Sequence, residues 1–336
     1  MTVVGTFGLS VRDQALEADV QAGLTAVEEG LLEATKSEVP FITEAAQHLV
    51  RAGGKRFRPL LVTLAAQFGD PYAPGIVPSA VVVELTHLAT LYHDDVMDEA
   101  DVRRGVESAN QRWGNSVAVL TGDFLFARAS HILADLGPDA VRIQAEAFER
   151  LVTGQILETA GPADGRDPVD HYLDVLSGKT GSLIAVACRF GAMMSGADET
   201  VVDVLTQYGE RLGVAFQLAD DVLDIASDSH ESGKTPGTDL REGIPTLPVL
   251  RLRERARLLG LPEDQALVDL LDSDLTDDAK LAEAISRLRA HPALEQARRD
   301  TVRYAQEARA TLNPLPECEA KAALVELCDA VVHRAG

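Results

Sequence analysis

The chain is predicted to be all-α, and three observations predict it. Of its 336 residues, 46% are hydrophobic but only 4% are aromatic, so the core must be built largely from Leu, Val and Ala. Leu and Ala are strong helix formers. Apolar positions recur at helical spacing along most of the chain, and no stretch alternates with the period of two that a half-buried strand requires. No strand–helix–strand rhythm appears, which excludes the α/β classes.

The elements follow in order. Residues 1–12 carry no periodic pattern and are expected to be a flexible N-terminus. Residues 13–36 alternate apolar and polar at helical spacing. Pro40 opens a helix to about Arg51, Gly53-Gly54 punctuates, and Pro59 starts another, since proline is tolerated in a first turn. Asp70-Pro71 ends it, and Pro78 opens the next. Helices over 115–136 and 140–159 are separated by Gly137-Pro138, and Asp167-Pro168 begins one to about Leu176. Further helices are expected at 181–195, 198–226, 245–259, 262–272, 277–290, 292–312 and 317–334. The loops longer than a turn are 100–106, 161–167 and 227–243. No composition shift marks a boundary, so residues 13–336 are expected to form a single all-helical domain.

Two copies of one aspartate pattern stand out. Asp94-Asp95-Val96-Met97-Asp98 closes the apolar run 80–92, and Asp220-Asp221-Val222-Leu223-Asp224 closes the run 212–219. Residues i and i+4 share a helix face, so Asp94 pairs with Asp98 and Asp220 with Asp224. Two carboxylates one turn apart repel unless a cation lies between them. Hard oxygen donors, few per site, suit Mg²⁺ that keeps waters and binds phosphate. The helix dipole does not account for these acids, because it favours them at N-termini and here they follow long helical runs.

Formal net charge is -22, which argues against nucleic acid or anionic membrane as a general partner. An anionic ligand must then be captured by local cations. Lys55, Arg56 and Arg58 crowd a Gly-Gly helix entrance, where the backbone also favours phosphate. Arg103-Arg104-Gly105 follows the first motif. Lys179-Thr180 precedes a helix, and His87 lies two turns before Asp94. Lys234 sits in loop 227–243, whose length beside a metal motif makes it a candidate lid.

Cys188, Cys318 and Cys328 form no CxxC or zinc spacing, which suits a reducing cytoplasm. No signal-peptide pattern is evident. No uninterrupted apolar run approaches the ~20 residues of a bilayer span. The run 80–92 is broken by Glu84 and His87, so no integral membrane segment is expected.

Taken together, the two DDxxD motifs, GGKRFRP, HDDVMD with its following RRG, FQLADD and GKTPGTDL strongly resemble the trans-isoprenyl (polyprenyl) diphosphate synthase family, long-chain type. They run in family order from about residue 50 to residue 250. The resemblance implies a bundle of long helices around a deep central cavity, a homodimer, and isopentenyl and allylic prenyl diphosphates as substrates. It implies that Lys55, Arg58, His87 and Arg104 bind the diphosphate of isopentenyl diphosphate. Arg103, Lys179, Thr180, Gln217 and Lys234 would bind the allylic diphosphate. Asp94, Asp98 and Asp220 would be metal ligands, with Asp95, Asp221 and Asp224 supporting them directly or through water. The aspartates, Arg103 and Lys179 form the catalytic set, with about three Mg²⁺ held by oxygen ligands when both substrates are bound. Ile244 departs from the pattern, because many relatives have lysine there, and Arg241 is the nearest replacement.

Two positions bear on product length. Small Ala89 and Thr90 precede Asp94 where bulky aromatics close the cavity of short-chain relatives, so a long product of about seven to ten isoprene units is expected, a bulky side chain being what would fill such a channel. Phe148 or Leu151 is a deeper candidate floor. The rivals are a short-chain synthase, a terpene cyclase and a noncatalytic regulatory subunit. Cyclases carry a different second metal motif and an aromatic-rich cavity. A noncatalytic subunit should have lost aspartates or diphosphate cations, and both motifs are complete here.

Overall fold

The computed structural model describes residues 13–226 and 236–335. The expected flexible N-terminus and most of the candidate lid, with Lys234, lie outside them. Among the described residues the chain is helical apart from short turns and one ribbon. In order the helices are α1 (Gln14–Ala34), α2 (Pro40–Arg51), α3 (Phe57–Ala66), α4 (Ile76–Met97), α5 (Ala109–Trp113), α6 (Asn115–Leu136), α7 (Pro138–Ala160) and α8 (Pro168–Leu176). Then come α9 (Ser182–Met194), α10 (Glu199–Ala226), α11 (Thr238–Arg241), α12 (Leu247–Leu259), α13 (Pro262–Leu271), α14 (Asp278–Arg289), α15 (Pro292–Thr311) and α16 (Glu319–Ala335).

Boundaries differ from expectation in several places. Helix α3 begins at Phe57 rather than Pro59, because Arg56 takes a left-handed conformation (φ 51°) and ends the preceding loop there. Helix α4 begins at Ile76 rather than Pro78. In both cases the proline sits inside the first turn, where a missing N–H costs nothing. The loop after the first aspartates contains an antiparallel ribbon, β1 (Val102–Arg103) with β2 (Val106–Glu107), which pairs Val102 with Glu107 and Arg103 with Val106. Arg104 and Gly105 make its tight turn, both at positive φ, the geometry that matches strand twist in two-residue hairpins.

The chain groups into two compact units. The first comprises residues 13–149, 183–209 and 312–325. Its core is aliphatic: Leu31, Leu49, Leu60, Leu64, Leu85 and Leu88 are fully buried. Tyr92 is buried with them, and its hydroxyl donates to Ala45 O at 2.6 Å. Glycine sets the closest helix approach. A Cβ on Gly191 would lie 2.2 Å from Val62 O.

The second unit comprises residues 150–182, 210–311 and 326–335. Asp167 caps α8, accepting from the N–H groups of Val169 (2.9 Å) and Asp170 (3.1 Å). Where a break was expected between 176 and 181, the helix continues through a π turn, Ser177–Gly181. A Cβ on Gly154 would lie 2.7 Å from Lys179 N, and one on Gly178 would lie 2.8 Å from Arg150 O. The two glycines thus let α7 lie against the backbone of the π turn, which presents Lys179 and Thr180.

Helix α6 is long and apolar enough to cross a membrane by length and composition, although charged residues interrupt its apolar run. It carries Asp123 and Arg128, and exposes Val119 and Leu120.

Candidate active site

The first unit gathers the first aspartate motif with the basic residues expected beside it. Asp94 and Asp95 lie in the last turn of α4, and Asp98 follows its end, with its N–H donating to Asp94 O at 2.8 Å. Asp95 is fully buried, while Asp98 is exposed. Arg103 reaches back from the ribbon: its Nε donates to Asp95 Oδ1 at 2.5 Å, and its Nη2 is 3.9 Å from Asp98. Burial raises the Asp95 carboxyl above the usual range, and the hydrogen bond and charge of Arg103 pull against it. Asp95 Oδ2 is buried without a hydrogen-bond partner.

The cations divide into two kinds. Arg56 is buried and fully engaged. It pairs with Glu28, donates to Glu84 at 3.1 Å, and donates to the carbonyls of Val50 (3.0 Å) and Gly53 (3.2 Å). It fixes the Gly-Gly loop. Arg58, two residues on, is different. Burial lowers its guanidinium to about 10, with Glu84 holding it up and Arg104 pushing it down, and its buried Nε has no hydrogen-bond partner. Lys55 is exposed. Arg104 lies over Gly54, where a Cβ would sit 2.8 Å from the guanidinium carbon. It donates to Gly53 O, and to Leu49 O at 3.2 Å, and lies 3.6 Å from Glu84. Gly54 also takes a φ of 147°, a conformation that favours glycine, so a bare backbone lies beneath the cation.

His87 completes the cluster. Desolvation first, then the charges of Arg58, Arg104, Arg56 and Arg103, hold its imidazole well below the ordinary range. It is neutral at neutral pH until an anion offsets those guanidiniums. Among the described residues, the non-glycine positions with positive φ are Arg56, Glu99 and Arg104, all beside this cluster. Strained backbone concentrates where a ligand site needs fixed geometry.

The second unit gathers the second motif with Lys179, Thr180 and Gln217. Asp221 is buried, and burial pushes its carboxyl up to about 8. Tyr172 donates to Asp221 Oδ2 at 2.6 Å and Gln217 also hydrogen-bonds it, which lowers it, while Asp239 and Asp220 raise it. Tyr172 itself is held protonated, first by burial and then by the Asp221 charge. Asp224 accepts from the N–H groups of Thr238 (3.2 Å) and Asp239 (3.3 Å), so it anchors α11 after the candidate lid. Lys179 pairs with Glu158 at 2.7 Å. Arg241, the nearest replacement for the lysine absent at Ile244, pairs with Asp278 at 2.5 Å.

Ala89 is fully buried, and the Thr90 hydroxyl turns back to His87 O at 2.8 Å. Phe148 packs at a tilt against Phe126 (4.5 Å between centroids), which lies 5.8 Å from His93 beside the first motif. Leu151 is buried in the second unit.

Four residues missed in the sequence prove central. Glu84 looked only like a break in an apolar run, yet it is the buried anion shared by Arg56 and Arg104. Glu28 on α1 is a second carboxylate partner of Arg56. Tyr172 and Glu158 hold Asp221 and Lys179. A lone acid at a buried helical position was a readable signal for Glu84, because such a charge needs cations around it. Nothing local marked the other three.

Among the described residues no group of three or more His, Cys, Asp or Glu side chains forms a ready metal cage. Carboxylate pairs with an orphaned acceptor instead suit a hard cation that completes its shell with water and phosphate oxygen.

The polyprenyl synthetase family profile matches residues 39–288. The nonaprenyl diphosphate synthase of Mycobacterium tuberculosis is 47% identical over 98% of this chain and 97% of its own length. The octaprenyl diphosphate synthase of Escherichia coli is 33% identical over 95% of this chain and 97% of its own. Among solved structures, geranylgeranyl pyrophosphate synthase from Corynebacterium glutamicum, complexed with calcium and isoprenyl diphosphate, has a TM-score of 0.86 and 45% identity, covering 96% of this chain and 98% of that one.

Proposed function

We propose a reaction for this chain on one premise: it belongs to the polyprenyl synthetase family, with the all-α isoprenoid synthase fold, and is an enzyme that transfers prenyl groups. The reaction is the condensation of isopentenyl diphosphate with an allylic diphosphate, repeated to build a long all-trans polyprenyl diphosphate. The observation that carries it is the basic cluster around Arg58. It holds a buried guanidinium N–H without a hydrogen-bond partner and a neutral histidine beside an aspartate motif, the groups that a diphosphate would satisfy.

Lys55, Arg58, His87 and Arg104 hold the diphosphate of isopentenyl diphosphate. Arg103, Lys179, Thr180, Gln217 and Lys234 hold the allylic diphosphate. Asp94, Asp98 and Asp220 would hold about three Mg²⁺, aided by Asp95, Asp221 and Asp224. When bound, Mg²⁺ supplies charge neutralisation at the departing diphosphate. Arg103 and Lys179 stabilise the same developing charge, which lowers the barrier to breaking the allylic C–O bond. Diphosphate leaves with the bonding electrons. The double bond of isopentenyl diphosphate then attacks the allylic carbon to form the new C–C bond. Loss of a proton to the released diphosphate restores a double bond.

The two units act as one synthase domain, in a cytoplasmic homodimer. The exposed Val119 and Leu120 of α6 support the dimer, since apolar side chains in water favour an interface. Small Ala89 and Thr90 support a long product, about 35–50 carbons, because neither fills a channel as an aromatic would. Phe148, packed against Phe126, supports a floor deeper than those two positions.

Diphosphate release from farnesyl and isopentenyl diphosphates tests the reaction. Release should require Mg²⁺, and Asp94→Ala and Asp220→Ala should each lower turnover at least ~100-fold. Near-normal turnover in both folded variants would sink the metal roles.

A further inference from the structure

The second unit contains a cavity of about 310 Å³. Val175, Ile244, Pro245 and Leu250 give it apolar walls. One side is α12, whose residues Leu250, Arg253 and Arg257 form a stripe of one helix face. The cavity therefore changes character along that helix. It is apolar at Leu250 and cationic at Arg257, about 10 Å further on at 1.5 Å per residue.

Three carboxylates also line it, and each is already engaged. Glu158 pairs with Lys179 at 2.7 Å, and Glu254 with Arg251 at 2.7 Å. Asp167 caps α8. Arg253 pairs with Asp272 at 2.6 Å. Arg257 is exposed and makes no ion pair or hydrogen bond among the described residues. The charge left over in the cavity is thus positive, at one end.

Ile244 matters twice. It stands where many relatives carry lysine, and it supplies apolar wall instead of a second cation. The opposite wall reaches the second motif. Tyr172 lines the cavity, and its hydroxyl is the donor to Asp221. Glu158, also in the wall, is the partner of Lys179.

We propose that this cavity is a second binding site, for a small amphiphilic anion: a short apolar chain along Leu250 and Ile244, with its carboxylate or phosphate at Arg257. Its occupancy bears on Asp221 and Lys179 through Tyr172 and Glu158. The binding stands by itself. Only its effect on turnover rests on the prenyl-transfer function proposed above.

Titration calorimetry on the full chain tests it, with decanoate and geranyl monophosphate as separate probes. At least one should bind, and the one that binds tells a fatty acyl from an isoprenoid source. Arg257→Glu, at an exposed position that leaves the fold intact, should weaken binding about tenfold or more, the cost of losing a charge-assisted hydrogen bond. Leu250→Trp should weaken it by filling the apolar end. The site is overturned if neither probe binds, if Arg257→Glu binds as tightly as wild type, or if an unreactive allylic thiodiphosphate weakens probe binding in proportion to its concentration with no plateau, which would place the probe in the catalytic site. A saturating probe should also change the KM for the allylic diphosphate in wild type and leave it unchanged in Arg257→Glu. An unchanged wild-type KM overturns the link to Tyr172 and Glu158. A chain without prenyl-transfer activity would still give or withhold the binding heats, so the two failures are distinguishable.

Discussion

The two aspartate motifs share a sequence pattern but not an electrostatic condition. The first is compensated by charge: Arg103 lies on Asp95 and near Asp98. The second is held by neutral donors, with Tyr172 and Gln217 on Asp221 and two backbone N–H groups on Asp224. Nearby Asp239 adds to the repulsion, and burial pushes Asp221 up to about 8. One DDxxD pattern therefore sits in two settings: a guanidinium offsets part of the charge on Asp95 and Asp98, while neutral side-chain donors hold Asp221. The support that neutral donors give Asp221 is therefore expected to respond to added cation more than the support that Arg103 gives Asp95.

Removing the anion that organises those guanidiniums should have the largest effect. Glu84→Ala leaves Arg56 and Arg104 without their shared buried carboxylate, a loss of roughly 3–5 kcal/mol when one partner of a buried pair is deleted. Thermal unfolding would show it as a large drop in Tm, with a raised KM for isopentenyl diphosphate in whatever folds. A Tm within a degree or two of wild type would mean the cluster is held by Glu28 and backbone carbonyls alone.

Tyr172→Phe probes the second motif. Deleting the hydroxyl leaves Asp221 short of one hydrogen bond, worth about 1–3 kcal/mol for a buried group. Turnover should fall about tenfold at limiting Mg²⁺ and less at saturation, because the cation takes over the compensation. Magnesium titrations of rate would reveal this, and Arg103 variants should show no such rescue. Equal losses at both magnesium levels would erase the contrast between the motifs.

The smallest effect concerns acid stability beside the π turn. Glu210 accepts from Arg150 (2.5 Å) and Ser177 (2.7 Å). Burial pushes its carboxyl up, but those hydrogen bonds and the charges of Arg150 and Arg211 outweigh it and leave it lowered. A lowered folded value means stability that is present above the ordinary carboxylate range and lost as pH falls through the folded value. Glu210→Gln should therefore be slightly less stable than wild type at neutral pH, with the gap closing in acid. Urea midpoints at the two pH values decide it, and a gap that widens in acid would contradict the sign.

Most of the helices were legible because an aliphatic chain with helical spacing leaves few alternatives. The aspartates and the basic cluster were legible because charged residues at the ends of apolar runs need a reason. Local backbone choices were not. Arg56 and Arg104 adopt left-handed conformations that no propensity favours, and tertiary hydrogen bonds hold them there. The π turn under Lys179 depends on Gly154, a contact across 25 residues that periodicity cannot express. Tyr172 looked like an ordinary half-apolar helix residue, and only the fold brings its hydroxyl to Asp221.

Product length gives the most direct measurement of the central claim, since it requires both motifs, both diphosphate sites and an open path for the chain. The purified protein alone, given isopentenyl and farnesyl diphosphates with Mg²⁺, should yield polyprenyl diphosphates of about 35–50 carbons by mass analysis. Ala89→Phe should shorten them, because a fully buried position cannot absorb an aromatic ring without filling the space around it. No elongation by the chain alone, or wild-type products that stop at about fifteen to twenty carbons with Ala89→Phe making no difference to a path it should fill, would contradict the account.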